Sequence, residues 1–130
     1  MRAVHVADGT WPPAVFQING GDYVPPLRQV IDLAVALVFG VDVHDMRAKR
    51  RGSPKVAFAR QVSMYLAHVA CSLSLTEVGV LYGKERTTVA HACCHIEDRR
   101  DDHDLDLRLD HLEHAVIALV SALASCKASQ

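Results

Sequence analysis

Lys84, Arg86, Thr87, Thr88 and His91 crowd into eight residues in K-E-R-T-T-V-A-H, a run with helical character. At a helix start the two threonine hydroxyls and the unpartnered backbone N–H groups suit a phosphate, and the helix dipole favours an anion there. Arg86 carries a planar donor fork that matches guanine O6 and N7. This chemistry is recognition, not bond cleavage. Just upstream, Ser74 and Glu77 form an S-x-x-E capping box that starts a short helix of about two turns. Gly83 then supplies a sharp turn. A short helix, a glycine turn and a longer helix from about 85 to 99 make a helix-turn-helix whose second helix offers its cationic end to DNA.

A second cluster precedes it. Arg47, Lys49, Arg50, Arg51, Lys55 and Arg60 occur with no acid among them, whereas Glu97, Asp98, Asp101, Asp102, Asp104, Asp106, Asp110 and Glu113 crowd the later chain. The formal net charge of −1 therefore hides a basic middle and an acidic end. An unopposed basic loop beside a helix-turn-helix supplies the electrostatic footprint that a duplex needs. Such a loop can also place an arginine in a narrow minor groove. The acidic stretch would repel DNA and should face away from it.

Competing chemistries fit less well. G-V-L-Y-G-K-E over 79–85 is one residue short of a phosphate-binding loop, has Glu where a magnesium-ligating hydroxyl belongs, and follows no strand. No nucleotide and no cofactor are expected. His91, Cys94 and His95 share a helix face, but they supply three ligands at most and no metal is expected. No carboxylate pair sits in an apolar context, and no Ser or Cys has a convincing histidine partner, so an enzyme is not expected.

The elements that must hold these residues are helices. In 130 residues, 50% are hydrophobic and only 5% aromatic, which leaves a core of Ala, Val and Leu in one all-α domain. Gly9, Pro12, Pro13, Gly20, Gly21, Pro25 and Pro26 make 1–25 an irregular arm. Residues 27–39 read as a helix with Val30, Ile31, Ala34, Val35 and Val38 on one stripe. One helical turn over 41–46 follows. Ser53 and Pro54 then open a helix to about 71, as hydroxyl cap and first-turn proline. A last helix over 105–125 carries Leu109, Leu112, Val116, Leu119, Val120 and Leu123, and 126–130 is a tail. That stripe either closes the core, the favoured expectation, or pairs two copies as a homodimer through the C-terminal helix. Cys71, Cys93, Cys94 and Cys126 form no disulfide framework, and the chain shows neither signal peptide nor membrane span. A cytoplasmic, nucleoid-associated protein is expected.

The ordered motifs V-A-F-A-R-Q-V-S-M-Y-L-A, S-L-T-E-V-G-V-L-Y-G and K-E-R-T-T-V-A-H-A-C-C-H-I-E resemble the C-terminal DNA-binding domain of the bacterial replication initiator DnaA over about 46–100. The resemblance implies an all-α helix-turn-helix core of the tryptophan-repressor and DnaA C-terminal type. The family's DNA-surface Arg-Gln pair matches Arg60 and Gln61, and its paired threonines match Thr87 and Thr88. Its later histidine matches His91, and its backbone-contacting first short helix matches Leu75 and Thr76. Arg50 and Arg51 fall in or beside the loop that enters the minor groove. Three departures stand out. The turn is one residue shorter than the family's, Arg86 replaces its base-reading histidine, and its minor-groove arginine position falls on Gly52. The initiator's AAA+ module has no counterpart in these residues, so origin unwinding is not expected.

The expected function is sequence-specific double-stranded DNA binding by residues 26–125, with a core over 47–100, most simply as a small transcriptional regulator. A replication modulator competing for initiator-type boxes and a protein-binding adaptor are the alternatives.

Overall fold

The computed structural model describes residues 26–128, and these fold into six helices: α1 (Pro26–Phe39), α2 (Val43–Arg47), α3 (Pro54–Val69), α4 (Leu75–Tyr82), α5 (Arg86–Arg99) and α6 (His103–Ala128). No strand occurs among the described residues. The arm expected over 1–25 and the end of the expected tail lie outside them. The last helix runs on to Ala128 instead of stopping near 125.

Helix α3 is the central element, packing against each of the other five. Its Ala59, Val62, Leu66 and Ala67 are fully buried, because neighbours cover it on several sides. Ser53 caps it by accepting a hydrogen bond from the Val56 amide, and Pro54 occupies its first turn, where a missing N–H costs nothing. Around α3 lie Leu27, Ile31 and Val35 of α1, Val78 and Leu81 of α4, Val89, Ala92 and Ile96 of α5, and Leu109, Leu112, Val116 and Val120 of α6. Burial of one such leucine contributes about 1.5–3 kcal/mol, so this shell supplies most of the cohesion.

Two helix stripes are narrower than their periodicity implies. Val38 keeps the spacing of Ile31 and Val35 but lies in the last turn of α1, beyond its neighbours, and is exposed. In α6 the i, i+4 rows split. Leu109, Leu112, Val116 and Val120 close the core, as favoured, while Leu119 and Leu123 face outward.

A polar tie joins three helices on the flank of α6. Tyr65 of α3 donates to the Glu97 carboxylate of α5. Arg100, just after α5, donates to the Tyr65 hydroxyl at 3.1 Å and pairs with Asp106 and Glu113 of α6. Burial and the adjacent Glu97 carboxylate push the Tyr65 phenol up to about 12. The far end of α5 is thereby fixed to α6. Cys71, Cys93 and Cys94 are free thiols.

The corner between α4 and α5 depends on Gly79. The Ser74 hydroxyl accepts from the Glu77 amide while the Glu77 carboxylate accepts from the Ser74 amide, so the expected capping box is formed. At the other end Gly83 takes the left-handed conformation (φ 67°), and the Lys84 amide returns to the Gly79 carbonyl at 2.8 Å. A Cβ on Gly79 would lie 2.6 Å from the Lys84 carbonyl oxygen, whereas one on Gly83 would meet nothing within 4 Å.

Gly79→Ala is therefore expected to destabilise the domain by about 1–3 kcal/mol despite alanine's better helix propensity. Gly83→Ala meets only left-handed strain, about 1–2 kcal/mol. Thermal melts in which Gly79→Ala unfolds above the wild type would contradict this account of the corner.

Candidate nucleic-acid interface

Helix α5 begins without a side-chain cap. Glu85 occupies the N-cap position but makes no capping hydrogen bond, and the first backbone bond of the helix runs from the Val89 amide to the Glu85 carbonyl. Arg86, Thr87 and Thr88 form the first turn, whose amides have no intrahelical partner. All three are exposed, as are Lys84 and His91. The threonines are therefore not capping residues; their hydroxyls face solvent at the positive end of the helix dipole. Val89 and Ala92 on the opposite side are buried, which fixes the rotation of α5 and so the direction in which these groups point.

The basic loop lies beside this turn. Lys49 and Lys84 line one cleft of about 320 Å³ with Arg28, Asp32 and Tyr82, so loop and turn face each other across it. On the far side of the loop, Arg51 and Lys55 share an open groove with Gln61, Phe58, His95 and Arg99. Cations of the loop thus share a cleft with Lys84 on one side and a groove with residues of α3 and α5 on the other. Thr76 is exposed and Leu75 half-buried at the start of α4.

The expected site residues separate into two kinds. Lys49, Arg50, Arg51, Lys55, Lys84, Arg86, Thr87, Thr88 and His91 are exposed and Gln61 is half-exposed. Arg47 and Arg60 are turned to the protein. Arg47 donates from Nε to the buried carboxylate of Asp32 at 3.2 Å, on the same oxygen that Arg28 reaches at 3.3 Å. Tyr82 adds a hydrogen bond to the other oxygen at 3.4 Å. Burial nonetheless pushes the Asp32 carboxyl up, against the pull of Arg28 and Arg47. Arg60 directs its guanidinium at main-chain carbonyls: Nε to Met46 at 2.9 Å, Nη1 to Arg51 at 2.7 Å, and Nη2 to Asp45, Ala48 and Arg50 at 2.6, 3.1 and 3.0 Å. Hydrophobic patterning carries no sign of either bond set, since Asp32 reads as a polar interruption of an apolar helix.

The absence of arginine at Gly52 has a backbone reason. Gly52 adopts φ 73°, and a Cβ there would meet the Val56 side chain at 3.2 Å. The loop turns into α3 at this glycine, leaving Arg50 and Arg51 as the exposed cations nearest the tip. Two further residues on this surface are not among the expected DNA-binding residues, although the sequence places His95 among three potential metal ligands. His95 meets the Phe58 ring edge-on at 6.2 Å, and the Arg99 guanidinium lies 5.2 Å from the centre of the same ring. The signal that could have found them is the i, i+4, i+8 spacing of His91, His95 and Arg99 on α5.

Residues 29–96 match the family model described as the bacterial dnaA protein helix-turn-helix. The chain is 30% identical over 89 residues to the chromosomal replication initiator protein DnaA of Caldanaerobacter subterraneus subsp. tengcongensis, covering 68% of this chain and 20% of that protein. It is 42% identical over 66 residues to DnaA 1 of Protochlamydia amoebophila, covering 51% of this chain and 14% of that one. A crystal structure of a DNA replication initiation factor superposes with a TM-score of 0.62 at 28% identity, covering 72% of this chain and 29% of the other. The chain thus spans about a fifth or less of the length of these curated relatives. The family match takes in the α4–α5 corner and the basic loop together, and on it this chain belongs to the bacterial DnaA helix-turn-helix family.

Proposed function

We propose that the domain binds double-stranded DNA sequence-specifically, with the first turn of α5 in the major groove and the basic loop on the backbone or in the adjacent minor groove. The observation that carries this reading is the uncapped, exposed start of α5, where Arg86, Thr87 and Thr88 stand beside a loop of cations with no acid among them. Arg86 reads a base edge, His91 and Gln61 flank it, and Lys49, Arg50, Arg51, Lys55 and Lys84 contact phosphates. Thr76, with Leu75, adds a backbone contact at the start of α4. Arg100 holds α6 to the far end of α5, and on this reading the acidic flank of α6 is turned away from the duplex.

In the cell we assign this binding to a small transcriptional regulator. A second reading, occupancy of initiator-type boxes in competition with a full-length initiator, is favoured by the likeness of this chain to chromosomal replication initiators. Genome-wide occupancy separates the two: peaks spread over promoters support regulation, and peaks confined to a replication origin support competition.

Arg86→Ala is expected to weaken the preferred duplex by about 1–3 kcal/mol and to relax one base position. Fluorescence anisotropy on specific and scrambled duplexes checks it, and unchanged preference would refute the major-groove assignment. Arg50→Ala with Arg51→Ala should weaken all duplexes and lower the slope of log affinity against log salt by about 0.9 for each phosphate no longer neutralised. Salt-insensitive, weak binding by the wild type would instead favour a protein-binding adaptor.

A further inference from the structure

We infer that Arg60 is a positioning residue that holds the basic loop in its binding shape, and that it acts on DNA through the loop and not by touching a phosphate. Its guanidinium has five N–H donors, and five carbonyl oxygens lie within hydrogen-bond distance of its three nitrogens. Two of these, from Asp45 and Met46, are end carbonyls of α2, and Ala48 is its C-cap. These carbonyls lie at the C-terminal end of α2, where the Ala48 amide also reaches Asp45 at 3.3 Å, and a cation complements the negative end of the helix. The other two belong to Arg50 and Arg51, the exposed cations of the loop.

One side chain from the rigid central helix therefore gathers both ends of the segment 45–51. The planar fork matters. Lysine has a single ammonium that cannot span carbonyls approached from Nε, Nη1 and Nη2 at once. The loop has few other anchors. Its amides contribute the Ala48 bond to Asp45, and the exposed side chains of Lys49, Arg50 and Arg51 repel one another. A loop of like charges held by carbonyl contacts to one cation is pre-ordered before DNA arrives, which lowers the ordering cost of binding. Neutralisation of phosphate then falls to the loop cations, with at most one Nη1 proton of Arg60 left over.

The consequence rests on the DNA-binding reading in part only, so two arms test it. In the first, without DNA, limited trypsinolysis is followed at Lys49, Arg50 and Arg51. Arg60→Lys should raise cleavage there at least tenfold, with helix content by circular dichroism unchanged. Cleavage equal to that of the wild type overturns the inference. In the second, affinities are measured for Arg60→Lys, for the Arg50→Ala/Arg51→Ala pair, and for all three changes together. If Arg60 acts through the loop, the combined variant binds no more than about threefold more weakly than the pair alone. Full additivity, or retention of wild-type affinity by Arg60→Lys, marks a direct phosphate contact and overturns it. Should Arg60→Lys not fold, the wild type decides by NMR. The Arg60 Nε proton should exchange slowly with water and keep its shift when duplex is added; fast exchange or a shift on binding overturns the inference. A wild type that binds no duplex defeats the proposed function while leaving the trypsin arm to judge the loop.

Discussion

The Lys84 carbonyl oxygen comes so close to α4 that any side chain at Gly79 would force the corner to shift, and this close approach fixes how α4 and α5 meet. The Lys84 amide and the Gly79 carbonyl lock it with a short hydrogen bond. With that corner fixed, the burial of Val89, Ala92 and Ile96 sets the rotation of α5, and the Tyr65–Glu97–Arg100 tie sets its far end. Position, rotation and tilt of the candidate recognition helix are thus decided by contacts made on its inner side. Its outer side is left free to carry polar groups chosen for a ligand.

The charges divide along the same line. Asp32 draws Arg47 and Arg28 inward, and Arg100 engages acids of α6, so paired charges collect at the seams between helices. Most of the cations that remain exposed lie on the loop, at the start of α3 and around the start of α5, with Arg99 at the end of α5 and Arg108 on α6 the exceptions among the described residues. A near-zero net charge is compatible with a polyanion-binding face because the compensating acids lie largely beyond α5, at its end and on α6. The Asp32 cluster is a weak source of stability. Burial outweighs its two arginine partners and pushes its carboxyl up, consistent with the general weakness of buried ion pairs. What it supplies is geometry, tying α1 to the end of α2 just before the basic loop.

Most of the fold is legible in the sequence because its signals are local. Ser53–Pro54, the Ser74–Glu77 box and Gly83 are side-chain-to-backbone devices acting over a few residues, and the helix boundaries they imply agree with the structure to within a residue or two. Exposure of Thr87, Thr88 and Arg86 follows from the apolar stripe on the other face of α5. The sequence misleads where partners are far apart along the chain. Arg47 and Arg60 read as members of one basic run, yet their guanidinium groups are engaged by Asp32 of α1 and by the carbonyls of 45–51. Leu119 and Leu123 fit the period of α6, but they lie off the Leu109–Leu112–Val116–Val120 row that faces the core and are exposed.

The departures from the family's pattern become intelligible on this structure. An arginine at position 52 would need a left-handed backbone conformation and would press on Val56, which leaves Arg50 and Arg51 as the neighbouring exposed cations of the loop. On the proposed DNA-binding reading, a cation supplied one or two residues earlier would enter a minor groove at a different place. On the same proposed reading, Arg86, at the position the resemblance assigns to a base-reading histidine, would replace an imidazole with a two-pronged donor that fits guanine best. Both changes lie on exposed positions that the core does not constrain, whereas Gly79, Val89 and Ile96 are fixed by packing. A scaffold of this kind could alter its preferred sequence without altering its fold, because the residues that aim α5 and those proposed to read with it are different residues.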